Sequence, residues 1–449
     1  MVFKSTARTW RVRFAGWVAV ACLLVPCGGT AWGEWEQVYE LTADDAANGD
    51  YFGGSVYVSG STIVVGAFKD DDSGTSSGSA YVFDASTGEQ LHKLTATDAA
   101  AGDQFGYSVA VSGDTAVVGA FLDDDAGAAY VFDPITGQQL HKLTAADAAA
   151  GDHFGYSVSV NGYIVVVGAW LDDETGSAYV FDAITGQQIH KLTAADAAAG
   201  DQFGYSVSVS GNTVVAGAHG NDDAGSNSGS VYLFDAATGQ PLRKLVASDA
   251  GDGDYFGLSV SMSGTLIAIG APGNNDAGGN SGSAYLFDAT TGQQLHKFTA
   301  TDATGGDEFG HSVSISGNTV VAGAFQDDDR GSAYVFDATT GLQLYKLTSD
   351  DASEEDFFGV SVSVSAGNIV AGAPYDDTAG PGSGSAYLFR ETVPCPADLN
   401  GDDKVNIDDL FLVLGAWGAC DDCPEDLNDD GVVDIDDIFE VLDWWGPCP

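Results

Sequence analysis

Two runs near the C-terminal end place oxygen-bearing residues at matching intervals: DLNGDDKVNIDD over 398–409 and DLNDDGVVDIDD over 426–437. In each, side-chain oxygens stand at positions 1, 3, 5, 9 and 12, and position 7 offers its backbone carbonyl. The first set is Asp398, Asn400, Asp402, Lys404 (carbonyl), Asn406 and Asp409. The second is Asp426, Asn428, Asp430, Val432 (carbonyl), Asp434 and Asp437. Hard oxygen donors at this spacing suit Ca2+, which takes six to eight of them in flexible geometry. Repetition of the whole set at a 28-residue shift makes the signal specific. Position 6 is Gly431 in the second run but Asp403 in the first. The left-handed turn needed there suits glycine, so the first site is expected to be the weaker.

Such loops need elements to hold them. Short amphipathic helices are predicted over 407–417 and 435–445. Leu410, Val413 and Leu414, with Ile438, Val441 and Leu442, would form their core, joined by Trp417, Trp444 and Trp445. Cys395 and Cys423 each precede a loop by three residues, and Cys420 and Cys448 each lie 25 further on. The duplication favours disulfides Cys395–Cys420 and Cys423–Cys448. A Cys420–Cys423 redox pair and a four-thiolate zinc site are the alternatives.

Upstream, carboxylates recur in pairs: Asp45 and Asp50, Asp98 and Asp103, and so on to Asp351 and Asp356. They belong to a unit that occurs seven times with a period of 49 or 53 residues. Each unit opens on Phe-Gly (Phe52-Gly53, Phe105-Gly106, Phe154-Gly155, Phe203-Gly204, Phe256-Gly257, Phe309-Gly310, Phe358-Gly359). Gly-Ala follows 14 residues after the Phe, then GSAYVFD or a variant, then TGQQLHKLTA or a variant.

Each unit reads as four short strands. FGYSVSVS alternates polar and apolar residues, TVVAG is nearly all apolar, and AYVF has apolar side chains on both faces. Both faces of each sheet therefore need covering, and like sheets packed face to face around an axis satisfy that need. A lysine on every QLHKLT-type strand fits an outer edge guarded by charge, which makes FGYSVSV the innermost strand. The chain begins with an outer-type strand and ends with a third strand. Residues 38–42 are therefore predicted to pair with 386–389, completing blade seven. An open solenoid would leave two apolar faces bare.

Alternating strand direction puts the second-to-third loops and the between-blade loops on one face. Together they hold 37 of the 65 acidic residues, set against Lys69 and Arg330. One reading makes the recurring Asp residues caps of their own turns. The other makes the face a cation-dependent binding surface.

The whole chain has 449 residues and net charge −50, which repels nucleic acid and anionic membranes. With 44% hydrophobic residues it can still build a core. Residues 1–33 read as a signal peptide: Lys4 to Arg13, an apolar run over 14–25, then Ala31-Trp32-Gly33. No later stretch is long enough for a membrane helix, so the mature protein is expected outside the cell or at its surface, without membrane insertion. No hydrolase, metalloprotease or phosphate-loop motif is present, and near-identical units offer one environment seven times over. The chain is read as a non-enzyme.

The FG, GA and GSAYVF elements resemble the FG-GAP repeat of integrin α-subunit propellers and of many bacterial surface proteins. That resemblance implies an all-β, seven-bladed propeller over 34–392 that serves as a ligand-binding or adhesion platform. In that family a DxDxDG calcium loop lies between the first two strands; here only short turns such as Ser112-Gly113-Asp114 stand there. The duplicated loop-plus-helix over 393–449 resembles the dockerin module, a small α-helical calcium-binding unit. It implies docking of residues 394–449 onto a cohesin-like or cell-surface protein, with a protein or glycan ligand on the acidic propeller face. Positions 10 and 11, Ile407-Asp408 and Ile435-Asp436, depart from the family's best-known Ser/Thr pair, which leaves the partner open. The alternative function implied by a dockerin is a component of an extracellular polysaccharide-degrading, cellulosome-like assembly.

Overall fold

The computed structural model describes residues 34–392, 397–400, 404–419, 423–428, 432–443 and 445–447. The expected signal peptide, Cys395, Cys420, Cys448, Trp444 and the loop residues Asp402, Asp403, Asp430 and Gly431 lie outside them. The described residues fall into two units, one spanning Glu34–Thr392 and one within residues 393–449.

The first unit is a ring of seven four-stranded antiparallel sheets. Blade one runs outward through Phe52–Ser59, Thr62–Ala67, Ser79–Asp84 and Gln90–Leu94. Its middle strands are buried almost throughout, as expected of sheets covered on both faces. Each core layer draws on two neighbouring blades: Val117 and Val131 of blade two meet Val165, Val167 and Phe181 of blade three. Such layers lie at all seven blade junctions, including that between blades seven and one. The ring is closed and not a solenoid. Each fully buried Val or Phe contributes roughly 1.5–3 kcal/mol of transfer free energy.

Closure uses the chain's own start. Glu34–Leu41 is the fourth strand of blade seven, antiparallel to Ser385–Thr392. The register is Gln37↔Phe389, Tyr39↔Leu388, Glu40↔Tyr387 and Leu41↔Ala386, with an irregularity at Val38. The pairing continues outward to Glu34↔Thr392, further than the predicted segment.

The second unit has two nine-residue helices, α1 (Ile407–Gly415) and α2 (Ile435–Asp443). Lys404–Val405 pairs with Gly446–Pro447, and Gly418–Ala419 with Val432–Val433, so each half completes the other. Ala397, Val405, Val413, Val433 and Val441 form its core. Here the expectation needs correcting. Leu414, Leu442, Trp417 and Trp445 are exposed, the two tryptophans by 53% and 49%. So small a unit has room for one narrow buried stripe per helix, and the second apolar face is left outside.

Candidate functional site

The recurring carboxylates have two separate duties. The aspartate before each FG turns back on its own loop: Asp50 accepts from the Ala47 amide at 2.7 Å, and Asp103, Asp152, Asp201, Asp254, Asp307 and Asp356 do the same from residue i−3. The capping reading holds for these seven.

In six of the seven pairs the earlier aspartate meets an outer-strand lysine. Lys93 Nζ lies 2.6 Å from Asp45, 3.0 Å from Asp70 and 2.6 Å from Asp72. Lys191 reaches Asp147 at 2.7 Å and Asp172 at 2.6 Å. Lys142, Lys244, Lys297 and Lys346 repeat the arrangement. Each ammonium also lies over a third-strand tyrosine ring, Lys93 at 5.3 Å from that of Tyr81. Burial would lower the Lys93 pKa, but the carboxylates around it raise it well above the ordinary lysine value. These lysines are therefore more than edge guards. They extend onto the acidic face and add to the positive charge of Lys69 and Arg330 there. The oxygens of Asp45, Asp70 and Asp72 lie within 4.8 Å of one another, as in a metal site, but they surround the Lys93 ammonium.

The recurring histidines are staples between blades. His92 Nε2 lies 2.8 Å from the Ile135 carbonyl of the next blade, and His141 Nε2 lies 2.9 Å from that of Ile184. Arg243 takes this role towards Thr290, and at the ring's seam Tyr39 donates to the Ser86 carbonyl at 3.1 Å.

Sequence reasoning missed the feature closest to a binding site. Strand one starts and strand two ends on the acidic face, near the axis. The residue before FG, the residue after FG and the residue after Gly-Ala therefore converge at the axial mouth. Many are aromatic, and they touch in sequence around it. Tyr51 contacts Phe68 and Tyr375, Phe68 contacts Tyr107, and Tyr107 contacts Phe121 and Tyr156. Tyr156 contacts Trp170 and Tyr205, and Tyr205 contacts His219 at 4.2 Å. Beyond Tyr375 the contacts run through Phe357 and Phe325 to His311. Burial pushes the Tyr107 hydroxyl up to about 12 and the His219 imidazole down to about 4, so both are neutral at pH 7. The recurrent FGY and GAF or GAW triplets were the available signal. At the opposite end, Tyr57, six serines and Asn161 line an axial cavity of about 150 Å³.

The FG-GAP repeat profile matches the chain seven times, at residues 35–83, 89–132, 138–181, 187–234, 242–287, 293–336 and 342–389. The chain belongs to the FG-GAP repeat family. No curated protein matches it. Each match spans the fourth strand of one blade and the first three of the next, so the repeats are offset by one strand from the seven blades of this FG-GAP propeller; the first begins on the closing strand and the last ends at Phe389, opposite that strand. A propeller of this family is suited to holding ligands or adhesive partners on its loops.

Outside the FG-GAP repeats, the two predicted ligand runs are partly in view. Asp409 is fully buried and accepts from the Leu399, Asn400 and Asn406 amides at 2.9, 3.2 and 2.8 Å. Asp437 does the same for Leu427, Asn428 and Asp434 at 2.8, 3.3 and 2.8 Å. Position 12 thus draws positions 2, 3 and 9 of its own loop together. Asn406 caps α1 by accepting from the Asp408 amide. Asp398, Lys404, Asp426 and Val432 lie on the same loops. Cys423 is disulfide-bonded.

Proposed function

We propose that this FG-GAP propeller is the non-catalytic binding platform of an exported protein, and that residues 393–449 are its calcium-organised, dockerin-like attachment module. One observation carries the reading of the propeller: an aromatic girdle set inside a ring of acidic loops. Aromatic faces attract cations and flat apolar groups, and the acidic rim draws in basic partners while repelling anionic polymers. A protein surface rich in lysine and arginine fits such a mouth best. The same carboxylate environments recur from blade to blade instead of one constellation being singled out, which favours a binding role over a catalytic one.

The attachment reading rests on the tail. Phe411, Leu414 and Trp417 are exposed on one half, and Phe439, Leu442 and Trp445 at the matching places on the other. An apolar face duplicated in this way suits a cohesin-like or cell-surface protein partner. The loop donors are hard oxygens, which fit Ca2+, and the bound ion would hold each loop against its helix.

The test uses the whole chain in calcium. Binding to immobilised lysine-rich peptide and to a glycan array is measured for the native protein and for Trp170→Ala. Salt-sensitive retention on the basic peptide, at least about tenfold weaker for the variant, supports the platform reading. Retention on neither surface overturns it. Release of sugar from polysaccharide would support the cellulosome-like alternative.

A further inference from the structure

Three departures from the repeat meet at the junction between blades six and seven. The buried alanine that follows the fourth strand (Ala43, Ala96, Ala145, Ala194, Ala247 and Ala300) is replaced there by Ser349. The glycine of the turn into the fourth strand, Gly88 or Gly137 in blades one and two, is replaced by Trp35, because the closing strand comes from the chain's start and needs no hairpin. Arg330 stands where blades two and three have Ala126 and Thr175.

These residues border two adjoining cavities. One, of about 470 Å³, lies among Asp327, Asp328, Arg330, Lys346, Ser349 and Asp350. The other, of about 410 Å³, is bounded by Trp35, Gln37 and Phe389 of blade seven and shares Lys346, Thr348 and Asp350 with the first. Both have the size of small-ligand pockets, roughly 300–1,000 Å³. The Asp350 amide donates to Gln37 Oε1 at 3.1 Å, which holds the loop entering blade seven against the closing strand. Trp35 and Tyr345 pack on the same core layer.

The polar groups of this cleft are mixed in sign. Lys346 is taken up by Asp302 at 2.7 Å and Asp327 at 2.6 Å, with Asp328 at 3.9 Å. Arg330 is exposed and enters no ion pair among the described residues, and Asp350 is exposed on the same wall. A cationic ligand would meet Arg330 and Lys346, and an anionic one Asp328 and Asp350. A neutral polyol suits both signs, because its hydroxyls donate to carboxylates and accept from a guanidinium. The indole of Trp35 gives a flat apolar wall for the C–H face of a sugar ring. Ser349 adds a separate indication. It is 6% exposed, and its hydroxyl is buried without a partner. Six units bury a methyl group there at no such cost, and a ligand hydroxyl pressed against Ser349 would supply the partner.

We propose that the cleft between blades six and seven is a second ligand site, which takes a neutral hexopyranose unit of a glycan. Arg330, Asp328 and Asp350 hold its hydroxyls, and Trp35 lies along its ring. The site is separate from the aromatic mouth and does not depend on that mouth's having a basic partner.

The test passes the whole chain, in calcium, over immobilised neutral oligosaccharides ending in glucose, galactose, mannose or N-acetylglucosamine. Affinity for the best-retained one is then measured by calorimetry. It should change less than about twofold between roughly 0.05 and 0.5 M salt, since the ligand carries no charge. Arg330→Ala should weaken it at least about tenfold. Ser349→Ala should weaken it about threefold or more while the urea midpoint stays equal to or above the native one, because it restores the residue of the other six units. That midpoint separates lost binding from lost folding. A chain that retains no neutral oligosaccharide, or whose affinity is unmoved by both substitutions, overturns the cleft site. Retention on lysine-rich peptide reads the aromatic mouth alone, so failure of one site is told apart from failure of the other.

Discussion

The carbonyl oxygen of Gly106 lies 1.9 Å from where a Cβ on Gly66 would stand. Gly66 is the glycine of Gly-Ala in blade one and Gly106 that of Phe-Gly in blade two, so the backbones of neighbouring blades touch there. The contact recurs between Gly168 and Gly204, and at the seam between Gly372 and Gly53. The two glycines of the repeat occur together because each blade's second strand rests against the next blade's first turn.

A methyl group at that junction must force the blades apart. Gly168→Ala is expected to cost about 3 kcal/mol in urea unfolding. Gly162→Ala is the control: it has open space around it and only a positive φ of 58°, so about 1 kcal/mol is expected. Equal losses in the two variants would show that the junction is not interlocked.

The lysine clusters should govern behaviour in acid. Burial pushes the Asp147 carboxyl up, but hydrogen bonds from Lys191 and Tyr179 outweigh it and hold it below the ordinary aspartate value of 3.8. Asp45, Asp98, Asp196, Asp249 and Asp302 behave alike. A depressed carboxyl gives stability above its unfolded value that is lost as pH falls through its folded one. The urea midpoint should therefore fall below about pH 3.8. Lys191→Met should cost about 2 kcal/mol at pH 7, because it leaves the buried Asp172 without its cation, and the midpoint of the variant should fall less in acid because Asp147 is no longer held low by the ammonium. A pH-independent penalty would contradict this account.

Closure of the ring should depend on Leu41, which is 1% exposed and packs with Phe52, Val56 and Leu388. Leu41→Ala is expected to cost about 3 kcal/mol. It should also raise amide exchange across residues 385–392 before the inner blades open. Unchanged exchange there would mean the closing strand contributes little to holding the ring.

Calcium should bind twice and unequally. Calorimetric titration of the chelator-treated chain is expected to give two sites, the 426–437 loop filling first. Asp437→Ala should abolish that event and leave the weaker one, because the side chain gathers three loop amides as well as offering oxygens. A chain that takes up no calcium would refute the metal-site reading of both loops.

Much of the fold was legible because the repeat writes it seven times. The FG and GA spacing, apolar patterns on both sheet faces and the starting phase of the chain were enough to derive seven closed blades and the strand exchange at the seam. Trp417 and Trp445 were misread because hydropathy marks a residue as apolar without saying whether so small a unit has volume to bury it.

The sequence alone determined which residues form strands, how many blades there are and which loops carry the acids, since strand period and turn chemistry are local. Only the tertiary structure decided what those acids do, because the outer lysines reach loops 19–48 residues away. The aromatic girdle and the histidine staples likewise exist only once blades stand side by side. Contacts between neighbouring blades depend on the angle at which sheets pack around the axis, and no single strand encodes that angle.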